Sequence, residues 1–177
     1  MMKNDRYDIA SRLFHWSMAV VIIYATIAGY TMHLVIDSSP SLWSILSVMN
    51  MSLATITTPI LLARWCWKYF RPSVYHRVKY SRLYPLARMT HSMIYFLMFL
   101  VFISGYLMLE ESYKLFWLIN IPNLIEAPQL NSFFFLVHRI GCIALSGFVI
   151  AHMLAAIYHH FWTGNNVLKL MWSSKSN

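Results

Sequence analysis

Charge is scarce in this chain. Of 177 residues, fourteen are Lys or Arg and six are Asp or Glu, 11% together, against 59% hydrophobic residues. A soluble domain of this length rarely tolerates so little charge, so composition excludes an ordinary globular domain and points to a membrane protein. Cysteine is nearly absent as well. Cys66 and Cys142 fall near opposite membrane faces in the topology derived below, which argues against a mutual disulfide, and no Cys-x-x-Cys-His attaches a prosthetic group covalently. There is no internal repeat, low-complexity tract or linker, and no nucleophile–base set, nucleotide-binding loop or hydrolytic metal motif.

Long apolar runs are what the chain does have. Four are long enough to cross a hydrocarbon core about 30 Å thick: Leu13 to Ile36, Leu42 to Ala63, Met89 to Leu109 and Phe133 to Trp162. They leave no room for a soluble domain, so residues 1–177 are expected to form one all-α, four-span unit, an integral membrane four-helix bundle. The first run is longer than the apolar core of a signal peptide and no polar mature domain follows it, so it is expected to stay as a span. Pro40 opens the second run, Pro72 and Pro85 bracket a basic loop, and Pro122 and Pro128 sit in the loop before the fourth run. Pro59 lies inside the second run, where it is expected to kink the helix and leave a carbonyl near Thr55 unpaired, with Thr55, Thr57 and Thr58 at hand to help.

The few charges are placed unevenly. Lys3, Arg6 and Arg12 precede the first span. Arg64, Lys68, Arg71, Arg77, Lys79, Arg82 and Arg88 separate the second and third, and Lys169 and Lys175 follow the fourth. The opposite connections hold Lys114 among Asp37, Glu110, Glu111 and Glu126, with Arg139 just inside the fourth span. Removing Lys114 and Arg139 from the fourteen basic residues leaves twelve on one side, and by the positive-inside rule both termini are cytoplasmic. The basic excess then reads as topology and anionic-lipid contact, not nucleic-acid binding.

Histidine is where the sequence becomes specific. Of eight, only His76 is clearly in a loop. An ionisable residue inside a membrane costs several kcal/mol unless it has a partner, so the other seven, in or at the ends of spans, are candidate ligands or proton carriers. His138 and His152 are fourteen residues apart on one run, which on a helix returns to within about 40° of one face at a rise of about 21 Å. That is a ladder for two stacked redox centres, and neutral imidazoles from different helices can clamp a haem iron between them. His15 lies near the cytoplasmic entrance of the first span, and depth alone lets it pair with His152 or His159; His33 is eighteen residues further along the same face.

These residues resemble a known family, the prokaryotic cytochromes b561, nearly end to end. The likeness is carried by SRLFHW at the first span, by Arg64 ending the second, by HSMIY opening the third, by the His138/His152 pair and by HHFWTGNNVLKLM at the end. The family includes di-haem quinone reductases, superoxide oxidase among them, and is similar in plan to the cytochrome b subunits of membrane hydrogenases and formate dehydrogenases. The resemblance implies a four-helix bundle with two haems b, the cytoplasmic-side one held by His15 and His152, the outer one by His138 and a histidine of the second span. Here the chain departs: the matching position is Asn50, and the second span contains no histidine. An amide oxygen is a poor substitute for imidazole. His33, a thioether from Met49, Met51 or Met32 as sixth ligand, or an outer haem that is five-coordinate or absent are the open outcomes for the outer site.

His91 and His159 match positions where a quinone headgroup docks, and imidazole suits proton delivery there; Arg64 and Lys68 either bind an anionic quinone species or anchor the second span. Trp16, next to a ligand, is a candidate to pack on a porphyrin, and Gly29, Gly105 and Gly147 permit close helix approach or accommodate a flat macrocycle. The expected protein is a bacterial inner-membrane, multi-pass b-type cytochrome exchanging electrons between an extracytoplasmic partner and ubiquinone or another quinone. Superoxide oxidation by the chain alone, service as the haem-bearing anchor of a larger dehydrogenase, and a degenerate one-haem relative are the alternatives.

Overall fold

A computed structural model describes residues 8–70, 84–164 and 167–172. The basic stretch at 71–83 with Pro72 and His76, and the terminal Lys3, Arg6 and Lys175, lie outside the described residues. Four long helices dominate: α1 (Ile9–Val35), α2 (Pro40–Phe70), α3 (Tyr84–Leu107) and α4 (Pro128–Phe161), followed by a short α5 (Val167–Trp172). All four long helices are long and apolar enough to cross a membrane. They run up and down as two tightly packed hairpins, α1 with α2 and α3 with α4, joined through a lighter α2–α3 contact.

Each helix begins before the apolar stretch that announces it, and α2 also continues beyond its end, whereas α1, α3 and α4 stop one or two residues short. α2 continues through Arg64 and Lys68 to Phe70, because long basic side chains can keep a helix going into the interface with their charged heads in water. α4 starts at Pro128, with proline at the first helical position, so this residue opens a helix and does not belong to the loop. Pro85 likewise lies inside the first turn of α3. Pro59 sits within an uninterrupted α2, and the hydroxyls of Thr55, Thr57 and Thr58 each donate to the carbonyl four residues earlier.

The all-α expectation has one exception. Between α3 and α4 the strands β1 (Tyr113–Leu115) and β2 (Ile119–Ile121) pair antiparallel, Tyr113 opposite Ile121. The turn between them puts Phe116 and Trp117 both at positive φ, 45° and 62°, the arrangement of a type I′ turn that normally selects Asn or Gly. Two bulky aromatics are held there because the hairpin is tied to α2: the Phe116 N–H donates to the fully buried Ser52 hydroxyl at 2.8 Å, and the Tyr113 hydroxyl bonds that of Thr55. Ser52 and Thr55 lie on the side of α2 away from Asn50 and Thr57, so the hairpin covers the back of α2 and leaves its inner face clear.

Polar residues fasten the ends. Asn131, almost fully buried in the first turn of α4, donates through Nδ2 to the carbonyls of Leu107 and Leu109 at 3.1 and 2.7 Å, satisfying acceptors that the end of α3 leaves open. At the other end Asp8 caps α1, accepting from the Ser11 N–H at 3.0 Å, from the Ser11 hydroxyl, and from Trp67 Nε1 of α2 at 3.0 Å. Partial burial pushes the Asp8 carboxyl up, but these hydrogen bonds outweigh it and hold it below its ordinary value of 3.8. A depressed carboxylate stabilises the fold above that pH and loses its contribution as acidification carries it through its folded-state value. Asp8→Ala is therefore expected to cost about 1 kcal/mol at neutral pH, as lost helix caps do, and the gap between variant and parent should close in acid. Denaturation of the two proteins in detergent at pH 7 and pH 3 measures this.

The core sits at mid-height: Met18 and Ile22 of α1, Leu61 of α2, Leu97, Met98 and Val101 of α3, and Leu145 of α4. On α1, Leu13, Val20, Ile27 and Leu34 recur every seventh residue on the exposed side, the stripe a lipid-facing surface would carry.

Candidate functional site

Four seams with a common period organise the interior. On α4 the inward residues are Asn131, His138, Leu145 and His152, each seven after the last, with Asn131 and Leu145 buried. The same period links His15, Ile22 and Gly29 on α1, Asn50, Thr57 and Arg64 on α2, and Met98 and Gly105 with the exposed His91 on α3. A seven-residue period drifts only about 20° per repeat, so each series stays on one face. The middle members Ile22, Thr57, Met98 and Leu145 are all buried and form a packed layer. It separates two levels fourteen residues, or about 21 Å, apart on every helix. One level, at the end where α1 begins and α4 finishes, holds His15, Arg64, His91 and His152; the other holds Gly29, Asn50, Gly105 and His138.

At the first level the imidazoles of His15 and His152 lie with ring centroids 6.3 Å apart and planes at 72°, and His91 stands 5.1 Å from His152 on the exposed side of the pair. Arg64 ties three helices together there: Nη1 donates to the Phe14 carbonyl at 3.0 Å, Nε to the Tyr95 hydroxyl at 2.7 Å, and Nη2 approaches His15 Nδ1 at 3.1 Å. All three guanidinium nitrogens of Arg64 thus meet protein atoms, and Lys68 lies over the Tyr95 ring at 5.4 Å. Arg12 Nε and His160 Nδ1 are buried without a hydrogen-bond partner among the described residues. An open groove at the start of α3 is lined by Pro85, Arg88, Met89 and Ser92.

At the second level His138 is oriented by α3. Its Nδ1 lies 2.9 Å from the Val101 carbonyl and 3.4 Å from the Ser104 hydroxyl, which itself donates to Leu100. A carbonyl can only accept, so Nδ1 carries the proton and Nε2 keeps its lone pair, the tautomer of a metal-ligating histidine. The ring rests on Gly105: a Cβ there would lie 2.9 Å from Cε1 and 3.0 Å from Nδ1. The Asn50 Oδ1 is buried with no partner among the described residues.

The remaining sequence candidates fall outside these groups. His33 is exposed in the last turn of α1, and no hydrogen bond or ring contact joins it to His138. His159 is half-buried one heptad beyond His152, with Nδ1 3.3 Å from the Thr163 hydroxyl. Trp16 is the exception: its ring lies edge-on to His15 of the first level at 5.5 Å and to Trp172 at 5.2 Å, and it donates to the Met171 carbonyl, clasping α5 to the start of α1. The two glycines of the second level, Gly29 and Gly105, gain meaning only from their register with the histidines.

The family model of prokaryotic cytochrome b561 matches residues 6–174. The chain belongs to this family. It is also similar to cytochrome b561 homolog 2 of Escherichia coli (strain K12), 25% identical over 178 residues that cover 98% of this chain and 94% of that one. Membership makes the protein a bacterial, multi-pass membrane cytochrome that binds b-type haem and takes part in electron transport. Among the described residues no three or more His, Cys, Asp or Glu side chains converge on a point that could hold a bare ion. A haem asks for less, one or two axial donors with the macrocycle supplying the rest. The cytochrome b561 fold here offers donors at both levels of its seam.

Proposed function

We propose that this cytochrome b561 carries single electrons between an extracytoplasmic partner and the quinone pool of the bacterial inner membrane, through a haem b held by His15 and His152. One observation carries the reading: imidazoles from α1 and α4 whose centroids stand 6.3 Å apart. Two metal–nitrogen bonds of about 2 Å each, with the half-widths of two rings, come to roughly 6 Å. When bound, the haem supplies a one-electron couple.

The chain's own residues do the rest. The packed layer of Ile22, Thr57, Met98 and Leu145 keeps water out of the seam between the levels. Arg64 sets the orientation of His15, and because a guanidinium only donates, ligation through Nε2 asks Arg64 to release Nδ1 while its bonds to Phe14 and Tyr95 keep it in place. His91, exposed and 5.1 Å from His152, is the first candidate to pass protons to and from a quinone headgroup, and His159 is the second. Reduction of the purified chain by a quinol, followed in the haem spectrum, tests this; a folded chain that binds no haem would sink it.

Both termini are placed in the cytoplasm by the twelve basic residues on their side. A reporter fused after Asn177 or inserted near Ser73 should be cytoplasmic, and one near Asn123 extracytoplasmic; an external C-terminus overturns the orientation.

A second reading, the membrane subunit of a larger dehydrogenase, is favoured by the charge of the outer connections. Asp37, Glu110, Glu111 and Glu126 outnumber Lys114, the wrong sign to steer an anion such as superoxide. Superoxide-dependent quinone reduction by the isolated chain decides between this and superoxide oxidase activity.

A further inference from the structure

The second level of the seam has a different chemistry from the first. Of its four positions two are glycine: the space at Gly105 is taken by the His138 ring, whereas Gly29 has no atom within 4 Å of where its Cβ would stand, so the α1 side of this level is open. His138 is presented as a donor, with Nδ1–H on the Val101 carbonyl and the ring braced on Gly105. The Nε2 lone pair is covered by the Cys142 Sγ at 3.4 Å, a weak thiol donor that yields readily.

Asn50 stands at the matching place on α2. It is fourteen residues from Arg64, which touches His15, as His138 is fourteen residues from His152, whose ring faces His15. Both residues also lie ten positions inside helices that open at Pro40 and Pro128, so their depths agree. His33 lies two residues from the end of α1 and is exposed, about 12 Å shallower by helical rise. An amide oxygen is a hard donor that suits magnesium or calcium, whereas iron favours imidazole. The second level thus has a strong donor on one side and an amide, its Oδ1 buried and unpartnered, on the other.

We propose that this level binds a second haem through His138 alone and leaves its other axial position open beneath Asn50, forming a site for a small diatomic ligand. The proposal rests on the haem reading above. A haem with one histidine and an accessible opposite face is the arrangement in which distal polarity and hydrogen-bond donors govern ligand capture, and the Asn50 amide supplies both a donor and an acceptor.

Carbon monoxide added to the reduced, full-length protein is the probe, read optically beside haem-per-chain stoichiometry and the electron paramagnetic resonance of the oxidised form. The expected result is two haems per chain, one low-spin and indifferent to carbon monoxide, one high-spin and reactive. His138→Ala should lose one haem and the whole carbon monoxide response. Asn50→His should keep both haems, turn the high-spin signal low-spin and abolish the response. Two low-spin haems indifferent to carbon monoxide, a single haem lost in His15→Ala, or a reactive haem that survives His138→Ala and disappears in Cys142→Ala would each overturn the proposal while leaving the first haem standing. No haem at all overturns the reading beneath it.

Discussion

His152→Ala is expected to abolish the low-spin haem proposed for the first level, and His15→Ala to do the same, because each side chain is one of the two proposed axial donors. His91 lies 5.1 Å from His152 and is itself exposed, so it is the neighbour through which a residual signal in His15→Ala would arise. Haem content and the reduced-minus-oxidised spectrum of the purified variants provide the measurement. His76→Ala, in the basic loop, should leave that spectrum alone. An unchanged low-spin spectrum in His15→Ala together with its loss in His159→Ala would move the pairing to the shallower histidine.

The second large effect is structural. Arg64→Leu removes bonds to the Phe14 carbonyl and the Tyr95 hydroxyl and the approach to His15, contacts that join α1, α2 and α3 at one point. A hydrogen bond to a charged group contributes about 1.5–3 kcal/mol, and the partners left behind lie where water is scarce, so a loss of roughly 3 kcal/mol is expected. Arg64→Lys should recover little, because one ammonium cannot reproduce the fixed fork that reaches three partners. Since Leu also frees His15 Nδ1, the low-spin haem should survive in the fraction that folds. Resistance to denaturation in detergent and the haem spectrum separate the two effects. Unchanged stability with a raised KM for quinol would instead make Arg64 a quinone-binding residue.

The four spans were readable from hydrophobic runs alone because a membrane demands uninterrupted apolar length, but their limits were not. Arg64 and Lys68 looked like the end of a helix and are part of one, since the interface tolerates a charged head on an apolar stem. Pro128 carried a legible start signal that its place in a polar loop obscured. The hairpin was hidden for a different reason: Phe-Trp occupies turn positions where Asn-Gly would have announced it, and Ser52 and Thr55, more than fifty residues away, tie it to α2. His138 and His152 declared themselves by spacing, a property of one helix. The company they keep, Gly29, Asn50, Arg64, His91 and Gly105, depends on the relative height of four helices, which pairwise packing sets and no single segment encodes. Asn131 was equally silent, because a buried amide capping a neighbouring helix looks in sequence like any polar residue near a helix start.

The shared seven-residue seam also dictates how this chain can change in length. One residue inserted between His138 and His152 would swing one of them about 100° around α4 and displace it by about 1.5 Å, taking it out of the interior. Seven inserted residues would restore the facing yet leave that helix about 10.5 Å out of step with the other three. Insertions and deletions are therefore tolerable in the connections, such as 36–39 and the parts of 108–127 outside the hairpin, and intolerable within the helices unless all four change together by a whole repeat. The gap between the two levels is in effect quantised: it can be one that four helices agree on, and nothing in between.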